Sequence, residues 1–554
     1  MKESRSVSGL VGAVRGAASR SGGVYKYDLV PEEDQEAAAA ATQRSHRRGG
    51  QADAGWMRKE EASPQRGLRV VRFALSGVCL LAVILVTAVF SPSGRPHDKT
   101  GCELRGNCTG DVSHLWGQYS PYFSVPSGMD PRVPAGCEVT FAQVLSRHGA
   151  RWPTRRRSAE YRAVVEGIQR ATTSYGAGYE FIRDYEYGLG LDELTALGQR
   201  QMAESGAAFF ERYEALARAA AAAADPPFIR ASGSSRVVMS AQNWTRGFYE
   251  RMEGGGGGDG GDGDLPRALA DMLILPETDQ FNNTLEHVPC PRFEDGPHAG
   301  LKARKQAAWR EVWAPPIKRR LEAKLRGANL SLAEVVAVME LCPFETVAAA
   351  PVPVLIPAAA ARSPFCALFS HDEWTGYDYH QSLDKWYGYG RGNPLGPTQG
   401  IGFGNELIAR LTGQPVRDNT TTNRTLDGSP ATFPLGRRLY ADFSHDNTMS
   451  SIFAALGLFD GTQDLPAGRK LSPRRTHGFS AAWAVPFSAR MYVEKMRCGS
   501  ERGDQGGPEL VRVLLNDRVM PLRGCGMDAL GRCELGAFVK SLSFVRHGGL
   551  WGEC

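Results

Sequence analysis

The chain predicts an α/β protein: a core whose central strands flank a long, mainly helical insertion, preceded by one N-terminal transmembrane helix. Three observations predict this. An apolar run, Val139 to Leu145, stops at the turn Ser146-Arg147-His148-Gly149-Ala150-Arg151-Trp152-Pro153-Thr154. About 290 residues later a second run, Leu439 to Phe443, stops at Ser444-His445-Asp446 and passes into a helical pattern over Asn447 to Leu458. Finally, the 18 residues from Phe73 to Phe90 carry no charge, which reaches the lower length limit for crossing a bilayer.

Residues 1–70 are rich in Ser, Gly, Arg and Glu, show no apolar period and read as a disordered cytosolic tail. Arg66, Arg69 and Arg72 precede the apolar segment, and the next positive charge after it is Arg95. The positive-inside rule then makes residues 71–91 a type II signal anchor. The protein would be a single-pass membrane protein, with the large domain in the secretory-pathway lumen or outside the cell. Cleavage and secretion is the alternative, although a signal peptide usually has a shorter apolar region and a far shorter leader. Residues 92–134 form a stalk and a lead-in arm.

The formal charge is +5, but residues 1–72 hold 13 Lys/Arg against 9 Asp/Glu, so about +1 falls on everything after them. That excludes a polybasic nucleic-acid binder, and any preference for anions must come from a local cluster. Of the 11 cysteines, Cys79 lies in the apolar segment and the other ten follow it, none in a Cys-x-x-Cys pair. This reads as five disulfides in an oxidising compartment, with no metal site. The six Asn-x-Ser/Thr sequons, at Asn107, Asn243, Asn282, Asn329, Asn419 and Asn423, also lie beyond the apolar segment.

Helical patterns follow the first turn from about Ser158. Leu194 to Ala224 reads as a helix with Asp192 as its cap, and Leu301 to Leu325 and Leu330 to Leu341 as two more. Phe228-Ile229-Arg230 reads as a short strand that ends in a Gly/Ser turn at Arg236. Glu253 to Asp264, almost all Gly and Asp, is a surface insertion without the spacing of a calcium loop. Asn393 to Gly404 is a loop leading to a helix over Asn405 to Leu411. Its Gly400-Ile401-Gly402-Phe403-Gly404 follows no clear strand and is discounted as a dinucleotide site. Asp418 to Ser429 is a polar loop.

The chemistry sits in the two turns. His148 lies between Arg147 and Arg151 at the carboxyl end of a strand, where open α/β sheets bind ligands. Two guanidinium groups hold phosphate oxygens by bidentate hydrogen bonds. They also disfavour the imidazolium, so His148 stays neutral and nucleophilic in acid. Gly149 lets the backbone approach a ligand or adopt a positive φ. His445-Asp446 lies between a strand end and a helix start, whose N–H groups favour an anion. Alone, that dipeptide would read as a helix cap, as does His371-Asp372, which has no convincing strand before it.

Arg147-His148-Gly149-Ala150-Arg151-Trp152-Pro153 resembles the signature of the histidine acid phosphatases. Cys342-Pro343-Phe344-Glu345-Thr346-Val347-Ala348, Gly392-Asn393-Pro394-Leu395-Gly396-Pro397-Thr398-Gln399 and Tyr440-Ala441-Asp442-Phe443-Ser444-His445-Asp446-Asn447 resemble the fungal phytase branch. The likeness runs from about Cys102 to Cys554 and leaves out residues 1–100. It implies a histidine acid phosphatase domain over 135–554. Within it, a phosphoglycerate-mutase-like α/β core would take about 135–157 and 390–554, and a helical domain about 158–389. It implies that His148 attacks phosphorus and that Arg147, Arg151, Arg236 and His445 bind the phosphoryl oxygens. Asp446 would protonate the leaving alcohol and later activate water, without a metal or other cofactor. It pairs Cys102 with Cys108, Cys137 with Cys498, Cys290 with Cys554, Cys342 with Cys366, and Cys525 with Cys533.

The implied substrate is a phosphorylated small molecule, phytate first. Such a polyanion calls for further cations around the cleft, and Arg183 and Lys385 are the candidates. Fungal phytases often carry two lysines where Asp384-Lys385 stand here, so a broad acid phosphatase stays open. A membrane-anchored binding protein on a dead phosphatase fold is the remaining reading. Against it stands the complete set Arg147, His148, Arg151, Arg236, His445 and Asp446. His-Asp in place of His-Ala-Glu speaks against the inositol polyphosphate phosphatase branch. A protonated Asp446 beside bound phosphate implies an optimum at roughly pH 4–6.

Overall fold

The main elements, in chain order, are β1 (Cys137–Arg147), α1 (Arg155–Ala171), α2 (Ala196–Arg212), β2 (Phe228–Ser232), α3 (Ser235–Met252), β3 (Leu273–Leu275), α4 (Leu301–Lys324), α5 (Leu332–Ala349), α6 (His371–Gly388), α7 (Ile401–Thr412), β4 (Leu439–Ser444), α8 (Asp446–Ala455), β5 (Arg490–Cys498), β6 (Glu509–Leu515), β7 (Arg518–Val519) and β8 (Cys533–Glu534). The computed structural model describes residues 111–254, 264–278, 280–287, 290–349, 362–499 and 507–554. The expected tail, anchor and stalk, the Cys102–Cys108 pair and most of the Gly/Asp insertion lie outside the described residues. Among the described residues no helix is long and apolar enough to cross a membrane.

The strands form one eight-stranded sheet in the order β8-β6-β5-β1-β4-β2-β3, with β7 beside β6. The pairs β1–β4, β4–β2 and β2–β3 are parallel. The pairs β1–β5, β5–β6 and β6–β8 are antiparallel. So β1 lies where a parallel half meets an antiparallel half, and the parallel half ends at one common edge. Arg147 pairs with Ser444 in the β1–β4 register. The next residues, His148 and His445, therefore leave neighbouring strand ends side by side. The fold brings the two turns of the sequence together at that edge, where α/β sheets place ligands.

Both central strands are buried, β4 along its whole length. Their polar members are paired. Asp442 on β4 accepts from Arg230 Nε at 2.7 Å, Arg410 Nη1 at 2.6 Å and Gln143 Nε2 at 2.8 Å. Arg230 also meets Glu406 at 2.6 Å. Charges this deep persist only when paired in this way.

Several local expectations change. The helix expected over Leu194 to Ala224 breaks at Tyr213 into Ala196–Arg212 and Glu214–Ala222. Its cap is Thr195, whose Oγ1 accepts from Gly198 N at 3.1 Å; Asp192 instead sits at φ 58° in the turn before it. Helix α5 runs on to Ala349 through Pro343, beyond the expected stop at Leu341, and α4 likewise contains Pro315 and Pro316. Gly402 and Gly404 lie inside α7, which rules out a phosphate loop there. The stretch expected as a helical domain, about 158–389, also supplies β2 and β3 to the main sheet. The helical part proper is α1 with α4, α5 and α6. Four disulfides, Cys137–Cys498, Cys290–Cys554, Cys342–Cys366 and Cys525–Cys533, agree with the expected pairing. The first ties the start of β1 to the end of β5.

Candidate active site

His148 is almost fully buried. Its Nδ1 lies 2.9 Å from the carbonyl of Gly149. A carbonyl only accepts, so Nδ1 carries the proton and Nε2 keeps its lone pair. The turn is clamped from three sides. His148 N donates to Ser444 O at 3.2 Å, Gly149 N to Ser240 Oγ at 3.1 Å, and Ala150 N to Gln201 Oε1 at 3.1 Å. Gly149 does not use a positive φ. A Cβ there would come within 2.3 Å of the carbonyl oxygen of Gly198, so its glycine serves the close approach of α2. Burial lowers the pKa of His148 well below the usual histidine value, and Arg147, Arg236 and Arg151 add to it. The arginines alone were expected to do this; the larger cause is desolvation.

Arg147 is fully buried against the ring of Phe487, 4.6 Å from its centroid. Its Nη1 donates to the carbonyls of Val485, at 2.8 Å, and Gln118. Burial pulls its pKa down to about 10, although Asp446 opposes this. Arg151 donates from Nη1 to Trp152 O at 2.8 Å, and Arg236 Nη2 lies 3.4 Å from His445 Nδ1. Arg147 Nε, Arg151 Nε and Arg236 Nε are buried without hydrogen-bond acceptors, and Arg147 Nη2 has only an ion-pair contact, with Asp446 at 3.4 Å. Buried donors left open this way call for a partner. Three guanidinium groups around one neutral imidazole form a receptor for an oxyanion.

His445 and Asp446 follow β4 and start α8. The two histidine rings lie edge to face with centroids 5.7 Å apart. Asp446 Oδ2 is 2.6 Å from Lys385 Nζ, and Oδ1 is 3.4 Å from Arg147 Nη2. Burial raises the Asp446 pKa, but Arg147 and Lys385 outweigh it and hold the carboxyl well below the usual aspartate range. Lys385, expected at the rim, is thus buried and bound to the candidate acid. It also meets Asp384 at 3.1 Å and donates to Asn447 Oδ1 at 2.7 Å. Lys302 lies on the far side of Asp384, at 3.9 Å. Arg183 is not brought to this cluster; it is exposed, over the ring of Tyr175 at 5.0 Å. His371-Asp372 starts α6 with a Ser370/Glu373 capping box, as expected for a helix start.

Sequence reasoning missed Glu277 and Glu286. His445 Nε2 lies 2.8 Å from Glu277 Oε1 and 3.3 Å from Glu286 Oε2. Burial pushes the Glu286 carboxyl up to about 7. Burial also opposes the charge on Glu277, but the hydrogen bond from His445 outweighs it and brings that carboxyl to about 2. The signal that could have found Glu277 is its place two residues after β3, at the common strand edge. That strand is three residues long and leaves no period to read. These two acids and His445 are the group among the described residues whose ligand atoms, within 4.8 Å of one another, lie close enough for an ion. Yet Glu277 Oε1 already accepts from Ser232 Oγ at 2.6 Å and Ser234 N at 3.1 Å. Hydrogen bonding accounts for the place of Glu277.

Residues 138–516 match the family described as the histidine phosphatase superfamily, branch 2. The chain is 49% identical over 477 residues to Phytase A of Aspergillus oryzae, covering 86% of this chain and 97% of that one. It is 49% identical over 450 residues to Phytase A of Emericella nidulans, covering 81% and 91%. The crystal structure of the phytase from D. castellii superposes with a TM-score of 0.59 at 21% identity, covering 78% of this chain and 85% of that one. The Bifidobacterium longum multiple inositol polyphosphate phosphatase in complex with inositol hexasulfate gives 0.51 at 14% identity, covering 78% and 98%. Both structures share the fold.

Proposed function

The chain belongs to branch 2 of the histidine phosphatase superfamily, and from that premise we propose that it is a phytase-like acid phosphatase, hydrolysing inositol hexakisphosphate through a phosphohistidine. The observation that carries the reading is the cluster of open, buried guanidinium donors around a neutral histidine with a free Nε2. A phosphoryl group takes up those donors from Arg147, Arg151 and Arg236, with His445 beside them. Nε2 of His148 then forms a bond to phosphorus while the bond to the leaving alkoxide breaks. Asp446 gives that oxygen a proton. In the second step the Asp446 carboxylate takes a proton from water, whose oxygen attacks phosphorus, and His148 leaves neutral. Fixed positive charge does most of the work on the transferring group, and general acid catalysis adds about 10²–10⁴-fold. The arginines fill the place a metal ion takes elsewhere, so turnover should survive EDTA.

Asp384 favours a second reading, a broader phosphomonoesterase. It draws on the charge of Lys385 that a polyanion would otherwise use, and Lys302 offsets it only from 3.9 Å. We also propose that residues 73–90 anchor the protein in a membrane with the catalytic domain on the oxidising side. The flanking arginines and the disulfides support this.

The test compares inositol hexakisphosphate with simple phosphomonoesters on the purified protein. A strong preference for the first supports the phytase reading; equal turnover favours the broader one. His148→Ala should abolish turnover of every substrate while the protein stays folded, and rapid quench should trap acid-labile label on the wild type only. Near-normal turnover in that variant would end the phosphohistidine assignment.

A further inference from the structure

His445 is held from behind by a carboxylate that the mechanism above does not use. Nε2 points at Glu277 Oε1, 2.8 Å away. A carboxylate only accepts, so Nε2 carries a proton. In the ligand-free site the other nitrogen, Nδ1, accepts from Arg236 Nη2 at 3.4 Å, since a guanidinium only donates, and the ring there carries the Nε2 proton alone. If Nε2 held the only proton, Nδ1 would present a lone pair to a phosphoryl oxygen and repel it. Binding an oxyanion beside Arg236 therefore requires a second proton, on Nδ1, and a full positive charge on the ring.

The same Glu277 oxygen accepts from the hydroxyl of Ser232 and the backbone N of Ser234. Ser232 ends β2, and Ser234 is the residue before α3, which carries Arg236. One carboxylate thus fixes both the ring of His445 and the turn that sets Arg236.

We propose that Glu277 is a positioning residue for phosphoryl binding: it locks His445 in register with Arg236 and supplies the counter-charge for the second proton that the ring takes up when an oxyanion binds. This rests on the phosphatase reading. The groups facing His445 come from every element around it. Arg236 on α3 and His148 after β1 oppose its charge. Asp446, next in α8, favours it but is already paired with Lys385 of α6 and Arg147 of β1. Glu286 faces the same nitrogen as Glu277, but burial keeps its carboxyl neutral through the acid range. Glu277 is left to supply the counter-charge.

The test is Glu277→Gln in the full-length protein, with p-nitrophenyl phosphate as substrate and inorganic phosphate as competitor. Glutamine keeps an oxygen for Ser232, Ser234 and His445 and removes only the charge. The alkaline limb of kcat/KM should move to lower pH by about one unit, and phosphate should inhibit about tenfold more weakly near neutral pH. Because p-nitrophenolate leaves without a proton, a lost general acid would not produce this shift. Glu277→Asp keeps the charge one methylene further back, so its limb should fall between those of the wild type and the glutamine variant. A wild-type limb and phosphate affinity in Glu277→Gln would overturn the proposal, as would equal displacement in both variants. Should Glu277→Gln fail to fold, an unmoved limb in Glu277→Asp would overturn it. A wild type without phosphatase activity would instead refute the reading on which the proposal rests.

Discussion

Replacing Lys385 by Gln should extend turnover to higher pH, but only for substrates whose leaving group needs a proton. Lys385 Nζ touches Asp446 Oδ2 at 2.6 Å and Asp384 Oδ2 at 3.1 Å. Two unit charges about 4 Å apart at an effective dielectric of about 20 interact by about 4 kcal/mol, or about three pKa units. The lysine acts on each of its two carboxylates in full, and after Arg147 it is the charge that does most to hold the Asp446 carboxyl down. Lys385 favours the ionised carboxyl. Its removal raises the Asp446 pKa, and the alkaline limb of kcat, which reports the substrate complex, moves up with it. The site should survive the change. Asp384 keeps Lys302 at 3.9 Å, and Asp446 keeps Arg147 at 3.4 Å. The assay is kcat against pH for an alkyl phosphate and for p-nitrophenyl phosphate, whose leaving group needs no proton. An unmoved limb with the alkyl ester, or equal movement with both, would refute Asp446 as the acid.

Asp442→Asn should cost about 3–5 kcal/mol of stability, because it leaves Arg230 and Arg410 short of a buried counter-charge; denaturant midpoints measure it. Burial raises the Asp442 pKa, but Arg230 and Arg410 outweigh it and leave it below the usual value. A depressed carboxyl stabilises above its unfolded pKa of about 3.9 and loses that as pH falls through its folded value, so the gap to wild type should narrow in strong acid. For the anchor, the tail should stay in carbonate-resistant membranes, joined to the catalytic domain. A soluble product beginning just after Phe90 would mean a cleaved signal.

Each half-site was legible because strand, turn and functional side chain are contiguous in the chain. Val139 to Leu145 and Leu439 to Phe443 are mostly apolar because β1 and β4 lie inside the sheet, so the polar turns that follow them, with His148 and His445, stood out. What stayed hidden depends on partners distant in sequence. Lys385 reads as a surface charge because α6 is rich in Tyr, Trp and Asp, yet most of that helix is buried. Polar residues there pair with one another and with α8, which no periodicity can announce. The antiparallel half, β5 and β6, carries Arg490, Glu494 and Arg512 among its buried residues. Those charges blur the apolar alternation of a strand until Glu494 is seen beside Arg212 and Arg512. Gly149 was singled out for the right position and the wrong reason, since its neighbour Gly198 is 49 residues away and comes close only in the fold.

On the proposed mechanism, the ion pairs around Asp446 decide why the site works in acid. In the ligand-free site the Asp446 carboxylate is the counter-ion of buried Arg147 and of Lys385, and both cations need one. An arriving phosphoryl group competes for the same N–H donors. Once Arg147 turns to phosphate, the carboxylate loses part of what held it ionised and gains a negative neighbour, and both changes raise its affinity for a proton. A phosphate monoester gives up its second proton near pH 6, roughly, so below that pH the substrate arrives carrying the proton that Asp446 then needs. His148 sets no limit on the same range, because its burial keeps the nucleophile neutral well into acid. The upper limit therefore belongs to the groups that must hold protons, Asp446 with its bound substrate and His445 with Glu277. Lys385→Gln should raise one and Glu277→Gln should lower the other, so the two variants displace the profile in opposite directions.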